Sequence, residues 1–203
     1  MNYLAIDTSG THLTIVLIKN GEVFTEFMPD GNLKHSITLM PAVEKILDSN
    51  NVKVSEIDGF ACVIGPGSFT GIRIGVATVK ALAYAFKKPV LAVTSFDVLA
   101  YNKRVGKRLA VIDAMHDNYY VAGYDGDSVT IAPCFLEKAE VIKLSTEYEV
   151  LSSTDIELIT AKNANLLEGL IAAVQNKVGE FTLNLDALNP LYVRKSQAEE
   201  GRV

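Results

Sequence analysis

The chain has 203 residues, 49% of them hydrophobic and 21% charged, and contains no tryptophan. That balance excludes a disordered chain and suits one large domain or two small lobes with a real core. A formal charge of −5 excludes a broadly basic nucleic-acid surface, so any such contact would need a local basic patch.

The first residues, MNYLAIDTSG, carry an acid inside the first apolar run and read as a strand rather than a signal peptide. YLAI, HLTIVLI and EVFTEF then form three strands, the last two joined by Asn20-Gly21, a strong hairpin signal. A helix is expected over Ser36–Ser49, a strand over Gly59–Ile64, a helix over Thr70–Lys87, and a strand at PVLAV. Three antiparallel strands followed by helix–strand–helix–strand predict an α/β fold with a mixed sheet. No apolar stretch is expected to reach the ~18 residues of a membrane span. Cys62 and Cys134 lie singly in apolar runs and read as two buried thiols of a reducing compartment.

A second copy of the opening pattern follows about a hundred residues on. LAVID at Leu109–Asp113 echoes YLAID at Tyr3–Asp7, and NYYVAGY and the Asp125-Gly126 turn echo HLTIVLI and Asn20-Gly21. The pattern predicts two related lobes, 1–96 and 97–203, joined near Thr94–Lys107, with the second reduced. Its clearest helix is Ala164–Lys177.

Between the strand at Gly59 and the helix at Thr70 stands IGPGSFTGIRIG, residues Ile64–Gly75. No Gly-Lys-Ser/Thr triplet follows, so it is not a P-loop, and Thr70 stands where a dinucleotide fingerprint needs its third glycine. Pro66-Gly67 suits the centre of a type II turn, with positive φ at Gly67. Ser68 or Thr70 is a candidate cap for the following helix. Two readings stay open: a tight corner in which glycines allow close backbone approach, or an anion site at a helix start. Arg73, one turn in, reads as a solvated or ion-paired side chain.

IDTSG near the start, GPGSFTGIRIG in the middle, Ile112-Asp113-Ala114 in the second half and PLYVRKSQAE at the end occur in this order. Together they resemble the TsaB (YeaZ) family of the bacterial tRNA threonylcarbamoyladenosine system. The resemblance covers nearly the whole chain. It implies an actin-like ATPase fold of two ribonuclease-H-like lobes, the second shortened. It further implies a cytoplasmic, non-membrane binding subunit that supports TsaD without catalysis, reaches TsaE through the TsaD complex and meets tRNA mainly through TsaD. A homodimer is expected for the chain alone. The alternative is a stand-alone actin-like ATPase or kinase, or a metal-dependent peptidase-like enzyme.

Within that resemblance Gly65, Pro66, Gly67, Ser68, Phe69, Thr70, Gly71 and Arg73 carry the family loop. Asp7, Thr8 and Ser9 match the place where actin-like ATPases hold phosphate and magnesium, as a vestigial site. No Gly-Gly pair serves the second half of such a cleft. No tightly bound cofactor is therefore expected, with ATP or ADP and magnesium admitted only within the complex. Histidines 12, 35 and 116 fall in different segments, and Leu39 stands one turn after His35 where a second metal ligand would be. Neither a metal site nor a catalytic residue is expected.

Both early helices are more apolar than one buried stripe requires. Either they cover each other or they form a shared dimer face, and the latter is the expectation: His35, Leu39, Met40, Val43, Ile46, Leu47, Ile72, Val76, Val79 and Lys80. Pro41 should loosen the first helix without abolishing it. The basic run Lys103–Arg108 reads as a solvated loop, with tRNA contact in a complex as the lesser alternative.

Overall fold

Continuous and alternating apolar runs near the N-terminus build an antiparallel meander of β1 (Asn2–Asp7), β2 (Leu13–Lys19) and β3 (Glu22–Met28). The structure is a computed structural model describing residues 1–29, 34–157 and 159–194. At the β2–β3 turn Asn20 and Gly21 both take positive φ, 52° and 92°, as the paired hairpin turn demands. Side chains of β2 are buried on both faces, whereas β3 alternates as an edge strand should.

Helix α1 (His35–Ser49) leads to β4 (Gly59–Val63), helix α2 (Phe69–Phe86) and β5 (Val90–Val93). Strands β1, β4 and β5 pair in parallel, giving the order β3-β2-β1-β4-β5. Pro41 sits inside α1 and leaves the helix continuous. One stripe of α1 (Leu39, Ala42, Val43, Ile46, Leu47) and one of α2 (Ile72, Val76, Val79, Ala83) bury into the same core as Leu4, Ile6, Ile15, Leu17 and Phe60. Helix α2 corrects one expectation: its 18 residues have the length and composition of a membrane span. One third of that helix is buried, as the stripe packed on the sheet.

The first unit breaks at Ser95, next to the expected residue 96, but the expected second lobe 97–203 is not one unit, because a later segment rejoins the first. One compact unit comprises Met1–Ser95 together with Leu170–Pro190, and the other comprises Phe96–Gly169 with the residues from Leu191. The returning segment caps the β5 edge. Val90 and Thr182 exchange backbone hydrogen bonds of 2.7 and 2.9 Å, Phe181 stacks on Tyr3 at 4.9 Å, and Leu188 is fully buried in the core. An uncovered parallel edge strand would expose backbone donors and acceptors, which this strap satisfies. Periodicity along the sequence could not show this contact, because from Val178 to Pro190 the strap has no regular element longer than one turn.

The second unit repeats the first. After α3 (Ser95–Ala100) come β6 (Lys107–Asp113), β7 (Asn118–Asp125) and β8 (Ser128–Glu137) as an antiparallel meander, then α4 (Lys138–Leu144), β9 (Glu149–Ser152) and β10 (Lys162–Asn163). The order β8-β7-β6-β9-β10, with β9 parallel to β6, is the order of the first sheet. Helix α5 spans Leu166–Asn176. Leu191 and Val193 of the terminal motif pack on this unit's core, and Lys195–Glu199 lie outside the described residues. Cys62 is buried, but Cys134 is only half-buried, on the edge strand β8.

If the strap is part of the first unit's core, Leu188→Ala lowers unfolding stability by about 2–5 kcal/mol, the range for a fully buried leucine. Urea denaturation measures this, and a loss below about 1 kcal/mol would mean that the strap merely lies on the surface.

Candidate functional site

Strands β1 and β4 are parallel neighbours, so the loops leaving their C-terminal ends rise side by side. From β1 come Asp7, Thr8 and Ser9; from β4 comes the glycine-rich loop. The two corners meet backbone to backbone. Ser68 N donates to Ser9 O at 2.6 Å, and Thr8 Oγ1 donates to Gly71 O at 2.7 Å. A Cβ added at Gly67 would lie 2.2 Å from Ser9 O, and one at Gly71 2.0 Å from Thr8 O. Those glycines are required by space, not by dihedral freedom. The type II turn expected at Pro66-Gly67 is not formed: positive φ falls on Gly65 (106°), and the Gly65–Pro66 peptide is cis. Ser68 is the helix cap, its Oγ accepting from Gly71 N at 3.2 Å. Arg73 stacks over the half-exposed Phe69 ring at 3.6 Å, so its one-turn spacing serves a cation–π pair.

Asp7 is almost wholly buried, and its carboxylate is engaged by the chain itself. Oδ1 accepts from Ser9 N at 2.8 Å, and Oδ2 meets His12 Nε2 at 3.0 Å. Burial by itself would raise the Asp7 pKa, but the hydrogen bond and charge of His12, with the Ser9 bonds, hold it below the usual carboxylate value. Burial likewise works against the His12 imidazolium, yet Asp7 keeps its pKa above the ordinary histidine value. Burial, with the Asp7 charge, pushes the Cys62 thiol far up, which leaves it inert. His35 Nε2 donates to Gly10 O at 3.1 Å, and the His12 ring occupies the space a Cβ of Gly10 would fill. Two histidines distant in sequence thus converge on one glycine. The sequence reading passed over His12, although its spacing from Asp7 across a tight corner was the available signal.

A metal-chelated phosphate would have to compete here with contacts the corner already makes. Both Asp7 oxygens have partners, the Thr8 hydroxyl is spent on Gly71 O, and Ser9 O faces Ser68 N. Among the described residues no three His, Cys, Asp or Glu side chains gather as a metal would require.

The residues expected to form a partner face divide sharply. His35, Leu39, Val43, Ile46, Leu47, Ile72, Val76 and Val79 are all buried within the first unit. They are core, because they form the very stripes that hold both helices on the sheet. Of the expected set only Met40 is exposed and Lys80 half-exposed, the latter donating to Asn189 Oδ1 at 3.3 Å. What α2 does present is Ala77, Ala81 and Ala85, exposed at four-residue spacing, with Tyr84 78% exposed beside them. On α1, Ile37 is 69% exposed next to Met40 and Pro41. A groove of about 350 Å³ runs between α1, the 52–54 turn and α2, lined by Met40, Val43, Leu47, Val52, Val54 and Leu82 among others.

The family model described as "TsaD: tRNA N6-adenosine threonylcarbamoyltransferase" matches residues 30–199. The chain belongs to the TsaB (YeaZ) family. It is 36% identical over 126 residues to the tRNA threonylcarbamoyladenosine biosynthesis protein TsaB of Bacillus subtilis, covering 61% of this chain and 55% of that protein. Against TsaB of Escherichia coli it is 33% identical over 131 residues, 63% of this chain and 56% of that one. The matched part is a little over half the length of these curated relatives. YeaZ from Pseudomonas aeruginosa superposes with a TM-score of 0.73 at 25% identity, over 94% of this chain and 99% of that one. A Pseudomonas aeruginosa protein described by its similarity to peptidase YEAZ superposes at 0.78 and 27% identity, over 95% and 99%. The fold is accordingly the actin-like, ribonuclease-H-like one that the repeated sheet order suggests.

In this TsaB-family chain the basic run is neutralised where it stands. Lys103 pairs with Glu149, Arg104 with Asp127 at 2.6 Å and Lys107 with Glu147 at 3.7 Å. Arg108 is not solvated at all: its buried guanidinium donates to the carbonyls of Ala100 (2.7 Å), Gly106 (3.2 Å), Lys103 and Gly126. Asp113, the repeat partner of Asp7, accepts from Met115 N at 2.7 Å and so caps its own turn.

Two measurements check the corner. Gly67→Ala destabilises by about 1–3 kcal/mol through forced overpacking against Ser9 O, while Gly179→Ala, facing open space, stays within about 0.5 kcal/mol. Equal losses in urea titrations would refute the close-approach reading. The Asp7–His12 pair sets a pH window. The raised His12 pKa makes its stabilisation complete below about 6.5 and lost as pH climbs through the folded value; the lowered Asp7 pKa makes its share complete above about 3.9 and lost on acidification. The stability gap between wild type and His12→Gln is therefore widest between about pH 4 and 6.5, and a gap independent of pH would contradict the pairing.

Proposed function

We propose that this chain is a non-catalytic, cytoplasmic binding subunit that partners TsaD in threonylcarbamoylation of adenosine 37 of tRNAs reading codons that begin with A. Its membership of the TsaB family supports the pathway. The observation that carries the binding role is the accessible side of α2. Ala77, Ala81 and Ala85 leave a shallow, nearly uncharged strip into which a second helix can settle closely, with Tyr84 and the α1 residues Ile37 and Met40 as larger apolar contacts. Aromatic and methionine side chains around a flat apolar strip are the composition of an interface centre. The same strip serves a homodimer when TsaD is absent. TsaE and tRNA are reached through TsaD.

The self-occupied Asp7 argues against the rival reading of a stand-alone ATPase or kinase, because the carboxylate that would face magnesium already has both oxygens engaged. A peptidase reading finds no usable nucleophile in Cys62. The thiol of Cys62 is buried and raised in pKa. Nucleotide and magnesium belong, on this account, to the assembled complex only.

The direct test is co-purification with TsaD from the same organism and measurement of modified adenosine in tRNA after depletion of this chain. Association and loss of the modification are expected; neither occurring would overturn the proposal, as would micromolar ATP binding with turnover by the isolated chain. At residue level, Ala81→Glu and Ile37→Glu should weaken association at least tenfold while leaving the unfolding midpoint nearly unchanged. Val76→Glu and Leu39→Glu place a charge in the core and should unfold the first unit instead.

A further inference from the structure

We propose that the groove beside α2 is the seat for Tyr84 of a second copy of this chain, and that the lysines following Tyr84 pair there with Glu44 and Asp48. Resting on the reading of the α2 strip as an association surface, this pairing uses what lies to either side of that strip. On one side is the groove of about 350 Å³, with apolar walls from Met40, Leu47, Val54 and Leu82. Such a volume stands at the lower end for sites that take a small apolar group. Its charged lining residues are Glu44 and Asp48 from α1 and Lys53 from the turn, two carboxylates against one ammonium. Glu44 and Asp48 are exposed and stand four residues apart, a helical spacing at which like charges repel. Among the described residues neither has an ion-pair partner, whereas Lys45 between them is taken by Glu26 at 2.6 Å.

On the other side of the strip stands Tyr84, 78% exposed. Lys87 and Lys88 follow it at the C-terminal end of α2, and among the described residues neither has an ion-pair partner. An aromatic ring with two cations one turn further on is the complement of an apolar groove edged by two carboxylates one turn apart. Helix period separates the two halves of this match. Leu82 and Tyr84 are two residues apart, a rotation of about 200° around α2, so they leave the helix on opposite flanks of Ala77, Ala81 and Ala85. The chain's own Tyr84 therefore cannot enter its own groove. A two-fold axis along the alanine strip sets the Tyr84 flank of each copy against the groove flank of the other, and one contact becomes two identical ones. The alanines let the two α2 helices approach closely enough for the ring to reach across. In a chain standing alone the ring and both pairs of like charges are left in water.

Sedimentation velocity of the full chain at low salt tests this, with folding checked by circular dichroism. Wild type should dimerise, and Tyr84→Ala should weaken self-association at least tenfold with the unfolding midpoint nearly unchanged. Glu44→Lys/Asp48→Lys and Lys87→Glu/Lys88→Glu should each weaken it at least tenfold when alone. Mixed in equal amounts, these two charge variants should dimerise again, because the mixed pair has opposite charges at both contacts. A wild-type monomer at about 0.1 mM, dimers indifferent to Tyr84→Ala or to either reversal, or a mixture that stays monomeric would each overturn the inference. If the reversals leave the dimer intact while Ala81→Glu breaks it, the strip associates in another register and only this inference falls. If Ala81→Glu leaves it intact as well, the strip is not the surface of association.

Discussion

Everything distinctive in the first unit depends on how closely two backbone corners approach. Ser68 N on Ser9 O, with Gly67 and Gly71 bare against the carbonyls of Ser9 and Thr8, brings the start of α2 down onto the end of β1 with no side chain between them. That contact fixes the angle at which α2 crosses the sheet, and Gly75, whose Cβ would meet Thr8 Oγ1 at 2.5 Å, extends the close approach by another turn. With its inner stripe held so near the strands, the helix seats Ile72, Val76 and Val79 completely and turns Ala77, Ala81 and Ala85 outward. The glycine-rich loop is therefore structural in its mechanism and functional in its result: it aims a helix.

The same contact closes the corner chemically. Amides and hydroxyls that in a phosphate-binding fold would face a ligand are consumed between the two loops. Asp7, left in a dry place, is engaged by Ser9 N and the His12 imidazole of the same chain. At this position the corner is thus a stable platform for α2.

Much of the architecture was legible because hydrophobic period and turn chemistry are local. The meander, the Asn20-Gly21 hairpin, the long helices and the repeat in the second half follow from residues within a few positions of each other. Most of the failures were non-local. Apolar arcs on α1 and α2 did reveal more hydrophobic surface than one stripe needs, but not which residues the sheet would claim; Leu39, Val43, Ile72 and Val76 went inward. The strap from Val178 to Pro190 folds back on a strand some ninety residues earlier, and nothing in its own short turns announces that. His12 was hard to read as a partner of Asp7 because its one signal, a short spacing across a tight corner, is not periodic. The role of Gly67 came from the distance to another segment rather than from the turn it occupies.

The central claim is that the outward side of α2 is the surface by which this chain acts. Hydrogen–deuterium exchange of the full chain, alone and with an excess of TsaD, tests it most directly. The account predicts slowed exchange in peptides covering Phe69–Phe86 and His35–Ser49, with the 103–108 segment unchanged. Tight association without added protection in α2, or protection centred on the basic run, would contradict it.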